Sequence, residues 1–141
     1  MRETRPYRKS GFFNNRVLSP LTVALRLAPS IQIRGRKSGK LYTMPVLPLD
    51  YQGKRYLVAP RGDTHWARNL RAAGTGELRG KGRTEHFTAV EIPTSERRPL
   101  VDAYLAQYGT KYGGFVAKEF AAMPNPEDHP VFLIESAPGK A

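Results

Sequence analysis

The chain has 141 residues, 40% of them hydrophobic and none of them cysteine, with 23 Lys and Arg against 12 Asp and Glu for a net charge of +11. That length supports one ordinary core. Without cysteine, disulfide scaffolds, thiolate zinc sites and cysteine nucleophiles are excluded, while the charge favours anionic partners such as nucleic acid, acidic lipid or a polyanionic cofactor.

Residues 1–12 are basic, read as disordered, and lack the apolar run and cleavage site of a secretory leader. Val17 to Leu27 reads as a short amphipathic helix, since Ser19, Pro20, Thr22 and Arg26 interrupt its apolar run. It is too polar to span a bilayer, so a cytoplasmic protein is expected, although the basic flanks are compatible with peripheral membrane contact. From Ile31 the pattern becomes β, with short apolar or alternating runs between Gly, Pro and charged turns. Six strands are predicted: 31–34, 41–51, 54–60, 76–82, 84–93 and 131–135, the second and third joined by a hairpin at Asp50-Tyr51-Gln52-Gly53. Asp63 or Thr64 can cap a helix to Ala73, with Gly74 as its stop. A second helix is predicted from Thr94 to Tyr108 and a third from Tyr112 to Ala122, closed by Pro124. Residues 13–136 thus read as one mainly β domain with flanking helices, a barrel or sandwich, followed by a disordered tail at 137–141.

The sharpest local feature is Arg34-Gly35-Arg36-Lys37-Ser38-Gly39-Lys40, a turn between two predicted strands with four cations, a hydroxyl and two glycines. Glycines admit close approach, amides can form an anion nest, and Arg36, Lys37 and Ser38 supply charge and a hydrogen bond for phosphate. A solvated hairpin tip has the same composition. The spacing is not that of a Walker loop. A second feature joins Ala59-Pro60-Arg61-Gly62 to Trp66-Ala67-Arg68-Asn69-Leu70, where a strand end meets a helix N-terminus that can present amides and Arg61 to an anion or a planar ring. Trp66 and Leu70 equally suit core anchors, and Asn69 a loop contact.

Other chemistries find little support. His65, His86 and His129 lack ligand-like spacing, no serine sits in a GxSxG elbow, and the strands carry neither an RRM signature nor aromatic-basic alternation, which argues against nucleic acid.

Taken together, Gly35-Arg36-Lys37-Ser38-Gly39, Met44-Pro45-Val46, the hairpin at 50–53, Tyr56 to Gly62 and Trp66 to Leu70 resemble, in order and spacing, the deazaflavin (F420)-dependent nitroreductases among the split-β-barrel F420-dependent oxidoreductases. The resemblance spans about Ile31 to Glu135. It implies a six-stranded split β-barrel, coenzyme F420 as cofactor, and hydride transfer between the reduced deazaflavin and a small organic acceptor such as a quinone, an enone or a nitro compound. Arg36, Lys37 and Ser38 would hold the cofactor's phosphate and acidic tail. Pro45, Val46, Ala59, Pro60, Arg61 and Gly62 would border its ring, with Tyr42, Trp66 and Asn69 completing the cofactor set. Tyr108, Tyr112 and Phe115 would face the substrate, with Tyr112 the first candidate proton donor. The sequence departs from the pattern at Tyr42, where some members have arginine, at Pro60, where a serine is frequent, and at Phe115, where a tyrosine is. The alternative within the same fold is a split barrel that holds FMN, another flavin-like molecule or haem without F420 turnover. A homodimer is compatible with either.

Overall fold

The computed structural model describes residues 28–111 and 114–137. Residues 1–12, the helix read over 17–27, the tail from 138 onward and Tyr112 lie outside the described residues.

Seven strands make one antiparallel sheet: β1 (Ser30–Arg34), β2 (Leu41–Pro45), β3 (Leu49–Tyr51), β4 (Lys54–Val58), β5 (Thr75–Gly80), β6 (Arg83–Glu91) and β7 (Val131–Ser136), in the order β2-β1-β5-β6-β7-β4-β3. The predicted strand 41–51 is therefore two, and the count is seven, not six. Its break carries the topology. Only residues 46–48 separate β2 from β3, yet those strands lie at opposite edges of the sheet. Seven strands laid flat would place the edges about 29 Å apart, whereas the four Cα steps from Pro45 to Leu49 reach about 15 Å at most. The sheet must curl until its edges approach, which yields a half-barrel. The Val46 N–H, freed from the ladder, donates to the Pro29 carbonyl at 2.9 Å.

Burial follows the number of covered faces. β1 alternates, with Ile31 and Ile33 inside and Gln32 and Arg34 turned away, because only its concave side meets a core. β4 and β7 run continuously apolar, through Tyr56-Leu57-Val58 and Val131-Phe132, because both their faces are covered. The inner core packs Ile31, Ile33, Val46, Leu57, Ala59, Phe87, Phe132 and Ile134 beneath the helix α1 (His65–Ala73), which contributes Ala67 and Leu70. The outer core packs Leu49, Tyr56, Val58 and Val131 against α2 (Arg98–Tyr108) and α3 (Phe115–Ala122). Each large apolar side chain so buried contributes about 1.5–3 kcal/mol.

The helices match the sequence reading with two adjustments. Thr64 is the N-cap residue of α1, without a side-chain cap bond, while Asp63 pairs instead with Arg68 at 3.2 Å and Arg71 at 2.8 Å. The helix expected from Thr94 is a 3₁₀ turn, Thr94–Glu96, followed by α2. Arg97 stands at the join with its side chain buried. It donates to the Ile92 and Glu127 carbonyls at 3.0 and 2.9 Å and pairs with Glu91 at 2.8 Å.

Candidate functional site

The cationic turn is a closed loop between β1 and β2. The Gly35 N–H donates to the Lys40 carbonyl at 2.6 Å and the Gly39 N–H to the Gly35 carbonyl at 3.1 Å. Gly39 has φ +76°, which a side chain would strain, and a Cβ on Gly35 would fall 2.5 Å from the Tyr42 ring. Tyr42 thus lies over the turn. Arg34 donates to the Gly39 carbonyl, and Ser38 Oγ accepts from the Lys40 N–H at 3.2 Å and lies 3.5 Å from the Tyr42 hydroxyl. Lys37, Ser38 and Lys40 are exposed.

What holds this turn comes from 33 residues away. Asn69, only 7% exposed on α1, accepts through Oδ1 from both the Arg36 N–H at 3.1 Å and Arg36 Nη1 at 2.7 Å. Arg36 Nη2 lies 3.5 Å from His65 Nδ1 at the start of the same helix. Asn69 therefore sits behind the turn and fixes both the backbone and the guanidinium of Arg36. Arginine has five N–H donors, so Arg36 can still meet an anion while Asn69 holds it.

α1 is itself anchored. Arg71 binds Asp63 and, at 2.5 and 2.9 Å, Glu91 of β6; the Glu91 carboxylate, followed by Asp63, raises the Arg71 guanidinium above its ordinary range against the opposing effect of burial. This network fixes the start of α1 and the bend that leads into it. In that bend Ala59 is buried, Pro60 and Arg61 are half-buried and Gly62 is buried. Val46 and Ala59 share the inner core, where half-buried Trp66 lies 6.3 Å from the Phe132 ring. Pro45 is exposed at the end of β2. The expected tail-holding and ring-bordering residues thus gather around α1 and the inner core.

The expected substrate residues do not join them. Tyr108 is buried in the outer core, its ring 5.1 Å from Tyr104, and its hydroxyl donates to the Pro48 carbonyl at 2.6 Å. Half-buried Phe115 packs on the same outer core. Two residues escaped the sequence reading in any functional sense: His65, which lies beside Arg36, and His129. For His65, adjacency to Trp66–Leu70 was a usable signal.

Among the described residues no helix is long and apolar enough to cross a membrane. No curated protein matches the chain. Among solved structures, an F420-H2 dependent reductase (FDR-A) is 23% identical, with a TM-score of 0.55 over 86% of this chain and 99% of that one. A chain described as a domain-swapped dimer is 23% identical, with a TM-score of 0.56 over 85% and 84%. The haem storage protein HutZ of Vibrio cholerae is 12% identical, with a TM-score of 0.56 over 81% and 84%. These likenesses establish a split-barrel fold. A family model described as F420H(2)-dependent quinone reductase matches residues 8–119, most of the chain, and F420 is the cofactor which that family implies. The chain belongs to the F420H2-dependent quinone reductase family.

Proposed function

We propose that this reductase delivers hydride from reduced F420 to a small organic acceptor of the quinone, enone or nitro class, with the cofactor tail on the 34–40 turn and its ring along Pro45, Val46 and Ala59–Gly62. The observation that carries this reading is the Asn69-held turn. It gathers Arg34, Arg36, Lys37 and Lys40 within seven residues, and its conformation is already fixed by backbone and side-chain hydrogen bonds, so an anionic tail need not order it. When bound, the cofactor supplies the hydride from its ring carbon.

The protein's part is to place and to shield. Lys37, Ser38 and Arg36 hold phosphate and carboxylate oxygens, and the Ala59–Gly62 bend offers backbone and the Arg61 side chain beside the ring. The acceptor side is assigned to the segment of Tyr112 and Phe115, with Tyr108 buried behind it in the outer core. The Tyr108 hydroxyl is engaged by Pro48, which leaves the Tyr112 hydroxyl or water to supply the proton that completes reduction. One structural neighbour is described as a domain-swapped dimer, which supports a homodimer here.

Fluorescence titration tests the placement. Replacing Arg36 and Lys37 together with alanine should cost about 2 kcal/mol of F420 affinity or more, roughly 30-fold, with a smaller stability loss of about 1 kcal/mol, because Asn69 keeps only the bond from the residue-36 N–H. Unchanged affinity rejects the tail site. Parallel titrations with FMN and haem, and F420H2 oxidation against a quinone, an enone and a nitro compound, decide the cofactor competitor and the acceptor class.

A further inference from the structure

His129 lies between the 3₁₀ turn Pro126–Asp128 and β7, and it is fully buried. Its ring stacks on Phe120 of α3, centroids 4.0 Å apart and planes 21° from parallel. Nδ1 lies 2.9 Å from the Ala59 carbonyl oxygen, and Nε2 lies 2.6 Å from the Met123 carbonyl oxygen. Carbonyl oxygens only accept, so the ring serves both when each nitrogen carries a hydrogen. The two acceptors belong to different elements. Ala59 opens the Ala59–Gly62 bend, and Met123 ends α3.

The bend depends on this neighbourhood for both backbone groups of its first residue. The Ala59 N–H donates to the Pro130 carbonyl at 2.9 Å, and the Ala59 carbonyl also accepts from the Gly62 N–H at 3.2 Å. Without His129 this buried carbonyl keeps only the longer bond from Gly62, so the bend is closed by one donor instead of two. We propose that His129 is a positioning residue that presets the ring-bordering bend through Nδ1 and pins the end of α3 through Nε2. The inference rests on the ring placement given under Proposed function.

Two substitutions separate the two ends. The amide nitrogen of asparagine branches from Cγ, as Nδ1 does, so His129→Asn keeps a donor for Ala59 and loses the one for Met123. The amide nitrogen of glutamine lies one bond further out, as Nε2 does, so His129→Gln does the reverse. His129→Gln should raise the F420 Kd about tenfold and leave the acceptor KM within about twofold, while His129→Asn should keep the F420 Kd within about threefold and raise the acceptor KM several-fold. Equal effects of both substitutions on both constants, or no effect, overturn the proposal. Wild-type protein carrying ¹⁵N-histidine covers the case in which neither variant folds: saturation with F420 should move the His129 Nδ1 resonance more than the Nε2 resonance. An unmoved Nδ1 signal overturns the proposal while F420 still binds. Failure of the wild type to bind F420 instead overturns the ring placement.

Discussion

The cationic turn and the outer core are built from different interactions. At the turn, order comes from polar bonds to single acceptors: Asn69 Oδ1 holds Arg36 twice, and Ser38 and Gly35 close the loop on Lys40. Beneath α2 and α3, order comes from rings in contact, with Tyr104 against Tyr108 and Phe120 at 5.1 and 5.9 Å. Directional bonds admit few substitutes, whereas apolar packing tolerates residues of similar volume.

Four perturbations break or sharpen that contrast. Tyr104→Ala, in the outer core, should lower unfolding free energy by about 3 kcal/mol or more in urea denaturation, with the F420 affinity of the folded protein nearly unchanged. A large loss of F420 affinity there would mean the turn and the outer core are not separate. Asn69→Ala should cost about 1–3 kcal/mol of stability, because two Arg36 donors lose their acceptor, and titration should show weaker F420 binding. Tyr108→Phe removes the bond to Pro48 and should cost about 1 kcal/mol, read from the urea midpoint. If kcat/KM for the acceptor falls without that stability loss, Tyr108 acts on the acceptor and not on the fold.

The smallest effect is expected at the exposed end of the barrel. There the hydrogen bond from Arg55, and then that from Ser136, hold the Glu85 carboxyl below its ordinary value of 4.5. A lowered folded value gives stability that is complete above the ordinary value and fades as pH falls through the folded one. Glu85→Gln should therefore flatten the pH dependence of thermal unfolding below about pH 4.5 and lower neutral-pH stability by the same small amount, since the half-buried pair is partly screened. An unaltered acid limb would show that Glu85 takes no part.

Much of the inner face was legible in the sequence. The alternation at Ile31 and Ile33, the glycine-bearing cationic turn and the stop at Gly74 each express a local preference, and each stands where the pattern put it. The break in the 41–51 run was also written in Pro45 and Pro48, but extended residues on either side made one strand the simpler reading. Long-range partnerships were not legible. Nothing local in Asn69 points to Arg36, and His129 shows its two carbonyls only once β4, α3 and the 3₁₀ turn converge. The Arg97 join is similar, because a helical pattern from 94 to 108 does not reveal that a buried guanidinium must reach Glu91, Ile92 and Glu127.

The link at 46–48 has a thermodynamic side as well. Whatever joins the two margins of a rolled sheet must give up its freedom when the roll forms, and here that piece is bounded by Pro45 and Pro48, whose rings already restrict the unfolded chain. The hoop is fastened by residues with little conformational entropy left to lose. Glycine at either proline would loosen the clasp first in the denatured ensemble, before any native contact changed.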